Sequence, residues 1–205
     1  MNRYTTVAKE ASAEQVIDRS RFIAHIARAF SKEEADAFIA GIRTQYKDAT
    51  HNVPAFIVGE KSELKWTSDD GEPQGTSGPP MLQMLEREGL TNIVCVVTRY
   101  FGGIKLGTGG LVRAYTSSAK LALEAAGKHT VKDVTRMYVT IPYTLLGKLQ
   151  NLEKSEPFAI DDIIYQDNVT LSLSMDLELE DRIKALLMEI SSGNAIIESI
   201  DHIVE

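Results

Sequence analysis

The strongest constraint on the fold is the apolar periodicity of the last third of the chain, which switches between two and 3.6 residues in a fixed order. Met137, Val139 and Ile141 alternate as a strand, and Leu145, Leu146, Leu149 and Leu152 then form a helical stripe. Residues 158–165 read as a second strand, and Val169, Leu171, Leu173 and Met175 alternate as a third. Leu179, Ile183, Leu186, Leu187 and Ile190 give a second helix, and residues 195–204 a last strand. A β-α-β-β-α-β order within about seventy residues is the pattern of a ferredoxin-like unit.

The preceding residues have a different texture. Ser31 and Glu34 in SKEE predict a capping box, with Ala35, Phe38, Ile39, Ile42 and Tyr46 on one face of a helix over 32–47. Residues 52–59 read as a strand, 67–80 as a Gly/Pro/Asp-rich loop, and Pro79 or Pro80 as the start of a short helix ended by Gly89. Ile93–Val97 is a continuous apolar strand. After a second glycine-rich loop, a long helix is expected from about Gly109 to Ala126, stopped by Gly127. The chain is thus expected to be α+β with two domains, 1–132 and 134–205.

Charge follows the same division. Residues 1–133 carry 17 Lys and Arg against 16 Asp and Glu, whereas residues 134–205 carry 5 against 13. The overall charge of −7 therefore does not argue against an anionic partner for the first part. No apolar run is long enough to span a bilayer, and the polar first residues lack the apolar stretch of a secretory signal. The one cysteine, Cys95, lies in an apolar strand and has no intramolecular disulfide partner. A cytoplasmic location is expected.

Two loops carry the chemistry. In SDDGEPQGTSG, Asp69, Asp70 and Glu72 surround Gly71. Such oxygen ligands suit a hard cation, but their spacing is not that of an EF-hand and no histidine or further carboxylate accompanies them at a ligand-like spacing, so an acidic turn bonding nearby backbone N–H groups is the favoured account. In VTRYFGGIKLGTGGLVRAY, Gly102, Gly103, Gly107, Gly109 and Gly110 flank Lys105 just before a helix, with Arg99 upstream and Arg113 downstream. Glycines that turn successive N–H groups toward one point, together with a helix N-terminus, favour an anion. Neither strict nucleotide motif is met, and a tight packing turn is the alternative. His51 is a possible general base or a structural hydrogen-bonder. Ser68, Thr76, Ser77 and Thr98 have no legible base to activate them, and Cys95 is expected to be inert packing. Trp66, Tyr100 and Phe101 are the only aromatics near the loops, few for a single-strand nucleic-acid platform.

These two loops, with ATHNVPAF upstream, strongly resemble the IMPACT/YigZ family, and the resemblance covers essentially the whole chain. Ser77 stands where alanine is commoner in the family. The resemblance marks His51, Asp69, Asp70, Gly71, Glu72, Gly75 and Thr76 as signature-loop residues. It implies an N-terminal domain of the type shared by a small-subunit ribosomal protein and domain IV of elongation factor G, a mixed sheet with helices on one face. It also implies a bacterial-type ferredoxin-like C-terminal domain and a role connected with translation, since eukaryotic relatives regulate translation in amino-acid starvation. It supplies no established catalytic residue and no cofactor.

Three readings follow. In the first, a non-enzymatic regulator touches RNA, the ribosome or a translation factor through Arg99, Lys105, Arg113 and the two loops. In the second, a metal-dependent enzyme uses Asp69, Asp70 or Glu72 on a phosphorylated small molecule. In the third, the acidic C-terminal domain contacts a protein partner.

Overall fold

The computed structural model describes residues 2–204. Its elements run β1 (Asn2–Val7), β2 (Ala11–Ile17), β3 (Ser20–Arg28), α1 (Lys32–Gln45), β4 (His51–Val58), β5 (Leu64–Thr67), α2 (Gly78–Arg87) and β6 (Ile93–Tyr100). They continue with α3 (Gly107–Ala126), β7 (Lys128–Ile141), α4 (Tyr143–Leu152), β8 (Ala159–Tyr165), β9 (Val169–Asp176), a 3-10 turn, α5 (Glu180–Ile190) and β10 (Ile196–Val204). The chain divides into two compact units, residues 4–130 and, among the described residues, 2–3 with 131–204. The protein is α+β, as the pattern predicts.

The first unit is built on a sheet of order β2-β3-β6-β4-β5. Every neighbouring pair in it is antiparallel, which corrects the expectation of a mixed sheet. Strands β3 and β4 run in the same direction, but β6 lies between them and opposes both. The helices also lie on both faces, not one. Along β6, Ile93, Cys95 and Val97 pack into the cluster that includes Met81, Leu85, Leu111 and Tyr115 of α2 and α3. Val94 and Val96 join Ala35, Ile39 and Ile42 of α1 on the opposite face. A strand with apolar side chains on both faces needs cover on both, and that is why Ile93–Val97 reads as an unbroken apolar run.

The capping box of α1 is present in shifted form. Ser31 Oγ accepts from the Glu34 N–H at 3.2 Å, while Glu34 reaches back to the N–H of Phe30 at 2.7 Å. The three strands over residues 2–28, and β5, are additions to the sequence reading. The β2–β3 hairpin turns through Asp18 and Arg19, both with positive φ (45° and 63°), the backbone sense of a two-residue turn that matches strand twist.

In the second unit β10, β7, β9 and β8 form antiparallel neighbours in that order, with β1 also beside β7. In sequence order of the unit's own strands this is 4-1-3-2, the ferredoxin-like arrangement. Met137, Val139, Ile141, Leu171 and Leu173 face Leu149 of α4 and Ile183 and Leu187 of α5. Among the described residues no helix is long and apolar enough to cross a membrane.

Cys95 is fully buried in β6, and burial pushes its thiol up to about 12. A water-soluble disulfide reagent should therefore leave the native protein unlabelled, and labelling should appear only across the global unfolding transition in denaturant. Labelling of the native protein at the rate of an exposed thiol would contradict this placement.

Candidate functional site

The three clustered carboxylates turn toward three different sets of partners. Asp69 acts as the cap of α2 from outside that helix. Its Oδ1 accepts from the N–H groups of Ser77 (3.1 Å) and Gly78 (3.0 Å) and from Ser77 Oγ (2.7 Å), and its Oδ2 from the Gly75 N–H (2.7 Å). Ser77, at the N-cap position, makes no capping bond of its own. Burial pushes the Asp69 carboxyl up, but these bonds together outweigh it and hold the group below its ordinary value. Asp70, at positive φ (47°), accepts from the Asn52 N–H at 2.7 Å and from Arg43 at 2.8 Å. Thr76 donates its hydroxyl to the Pro73 carbonyl at 2.6 Å, closing the loop.

Glu72 points inward. Its side chain is 3% exposed, and Oε1 accepts from Arg99 Nη1 at 2.6 Å and from the Tyr115 hydroxyl at 2.7 Å. Burial and the bond to Glu72 both raise the Tyr115 phenol, so it stays protonated and donates. His51 stands at the start of β4. Its Nδ1 is 2.8 Å from the Asp70 carbonyl, which can only accept, so Nδ1 carries a proton. That leaves Nε2 facing Glu72 Oε2 at 3.8 Å. Among the described residues no group of three or more His, Cys, Asp and Glu is arranged to hold a metal ion. Asp69, Asp70 and Glu72 tie the loop to α2, β4 and β6 in turn.

Arg99, expected as a free cation, is instead the buried partner of Glu72. The alternation that places Ile93, Cys95 and Val97 against α2 and α3 continues to residue 99 and carries its guanidinium inward. There it lies between the rings of Phe22 and Phe101, each centred 5.4 Å away. Nη2 reaches Ser20 Oγ at 3.3 Å, and Nε, also buried, has no acceptor.

The glycine segment is arranged around two requirements. A Cβ at Gly102 would lie 2.0 Å from the Arg19 carbonyl oxygen, so the β2–β3 turn and this loop can touch only through glycine. Gly107 has φ +69° and opens α3 two residues before the expected start. Gly109 and Gly110 thus lie in the first turn of α3, and Arg113 in its second. The residue at the N-cap position, Leu106, has no side-chain oxygen, and no acidic residue occupies the first turn. The leading N–H groups of a twenty-residue helix are therefore left without a side-chain cap.

The two loops meet. Glu72 and Pro73 from the first, and Phe101, Lys105, Gly107 and Thr108 from the second, line one cleft of about 380 Å³, with Arg99 beside Glu72. Gly102, Gly103, Gly109 and Gly110 are not among its lining residues. Arg113 lines a neighbouring hollow of about 280 Å³ with Asp18, Leu106 and Gly110. Tyr115, Ser20 and Arg19 belong to this constellation and were not singled out from sequence. Tyr115 sits on the apolar stripe of α3, where a tyrosine looks like packing, and the other two fall in the unread hairpin.

Two sequence comparisons bear on this site. The Impact N-terminal domain matches residues 18–123, and the Domain of unknown function DUF1949 matches residues 139–194. The IMPACT family member YvyE of Bacillus subtilis is 38% identical over 198 residues, 97% of this chain and 91% of that protein. The IMPACT family member YigZ of Escherichia coli is 32% identical over 203 residues, 98% and 100% of the two chains. A crystal structure of a hypothetical protein covers 98% of each chain at 32% identity, with a TM-score of 0.62. The chain belongs to the IMPACT family.

Glu72→Gln removes the counter-charge of a buried guanidinium and should cost about 3–5 kcal/mol in denaturant unfolding, while Tyr115→Phe, losing one hydrogen bond to a charged group, should cost about 1.5–3 kcal/mol. A Glu72→Gln variant as stable as the parent would show that the pair does not hold the loop. Asp69 has a folded value below its unfolded 3.8, so its contribution is fully present above that value and is lost as pH falls through the lower folded one. Between neutral pH and about pH 5 the Asp69→Asn penalty should accordingly be constant, and it should shrink below pH 4.

Proposed function

We propose that the protein is a non-enzymatic, translation-associated regulator that binds RNA phosphates through the surface around Lys105, Arg113 and the N-terminus of α3. One observation carries this reading. The negative charge of the acidic loop is consumed internally, Glu72 by Arg99, Asp69 by α2 and Asp70 by Asn52 and Arg43, while Asp18 stays exposed in the hollow that Arg113 lines. The exposed cations Lys105 and Arg113 and the uncapped helix end remain to meet an anion. Membership of a family whose eukaryotic relatives regulate translation supports RNA or the ribosome as the source of that anion. Gly102, Gly103, Gly107, Gly109 and Gly110 serve it by shaping the approach, and Arg99 by holding the loop over it.

Metal-dependent catalysis gains nothing from the geometry, because the three carboxylates it would use are already engaged on separate partners.

Binding through phosphate contacts is salt-dependent, each contact adding about 0.7 to the slope of log affinity against log salt for single strands. In fluorescence anisotropy with single-stranded RNA, Lys105→Ala with Arg113→Ala should weaken binding at every sequence and lower that slope by about 1.4. An unchanged slope in the double variant would place the contact surface elsewhere.

A further inference from the structure

The cleft has a property that a flat cationic surface does not. We propose that it receives a single nucleotide bearing a terminal phosphomonoester, the end of an RNA strand, with the phosphate at the start of α3 and the base against Phe101. This rests on the RNA-binding reading and narrows it.

Four observations converge. First, about 380 Å³ falls in the size range of small-molecule pockets and is far from a groove that tracks a backbone. Second, surfaces that follow a strand present several aromatics in series, and Phe101 is the one aromatic ring lining this cleft among the described residues. It is 46% exposed, with one face toward the Arg99 guanidinium, so a base has a platform there already polarised by a cation. Leu106 and Leu111 complete an apolar wall beside it.

Third, the donors suit a dianion with three free oxygens better than a diester with two. They are the Gly107 and Thr108 N–H groups at the uncapped end of α3 and the Lys105 ammonium. Fourth, Arg99 lines the same cleft with its guanidinium held in place by Glu72 and Ser20, so the Phe101 ring beside it has a fixed support. Glu72 does not oppose the phosphate, since its carboxylate is covered and matched by Arg99 and Tyr115.

The test uses the full chain and one short single-stranded RNA in three forms, with a 5′-phosphate, with a 3′-phosphate, and with hydroxyls at both ends. Each carries the same dye on an internal base, and binding is read by anisotropy at low salt. The phosphorylated form should bind about ten-fold or more tightly than the hydroxyl form, and the arm showing the preference identifies which end enters. Adenosine 5′-monophosphate should compete for that preference. Thr108→Glu is the diagnostic variant. Residue 108 is exposed in the first turn of α3, where a carboxylate favours the helix and its melting temperature should not fall, yet it occupies the phosphate position. This variant should bind the phosphorylated and hydroxyl forms equally.

Equal affinity of the three forms for the parent protein overturns the terminal-nucleotide proposal and leaves salt-dependent RNA binding standing. A preference that survives Thr108→Glu also overturns it. Failure of all three forms to bind overturns the RNA reading itself.

Discussion

The Glu72–Arg99 ion pair is the interaction on which the architecture of the site depends. A buried carboxylate and a buried guanidinium are each expensive alone, and their mutual attraction offsets that cost only with good geometry and further hydrogen bonds. Here Tyr115 and Ser20 supply those bonds, while Phe22 and Phe101 enclose the cation. The pair thereby fastens the loop after β5 to the end of β6 and to the middle of α3. Removing either charge leaves the other stranded, so the geometry of the cleft and the stability of the unit are not independent properties.

The consequences spread along the loop. With Glu72 anchored, Asp69 bonds the start of α2 and Asp70 the start of β4. His51 links the two ends by donating to the Asp70 carbonyl while its other nitrogen faces Glu72. An acidic string that looks in sequence like a ligand set is a set of ties. Beside it Lys105, Arg113 and the helix end stand open to solvent, with Asp18 next to Arg113.

Much of the fold was legible in the sequence, for reasons visible in particular residues. Val169, Leu171, Leu173 and Met175 alternate cleanly because β9 buries one face only. Ile93–Val97 is unbroken because β6 buries both. By contrast β2, with the sequence ASAEQVI, alternates among small and polar residues and carries little contrast, and β5 spans only Leu64–Thr67. The two loops of the site stand out by composition. Their internal wiring does not, because whether a carboxylate points at a metal, a helix end or an arginine is decided by contacts distant in the chain. Arg99 is the instructive case. The strand was read as ending at Val97; followed two residues further, its alternation turns Arg99 toward α2 and α3.

The cap that Asp69 lends to α2 has a further consequence for how this region is assembled. A helix usually carries its start signal in the residue beside it, so the signal and the helix form together. Here the signal sits eight to nine residues upstream, across a loop whose tip at Pro73–Gly75 is exposed. Helix α2 therefore has no strong N-terminus until the loop has folded back, and the loop has no fixed course until the helix offers its N–H groups. The two are one mutually dependent unit, and a backbone break at the exposed tip would separate them in the chain while leaving them dependent on each other in the fold.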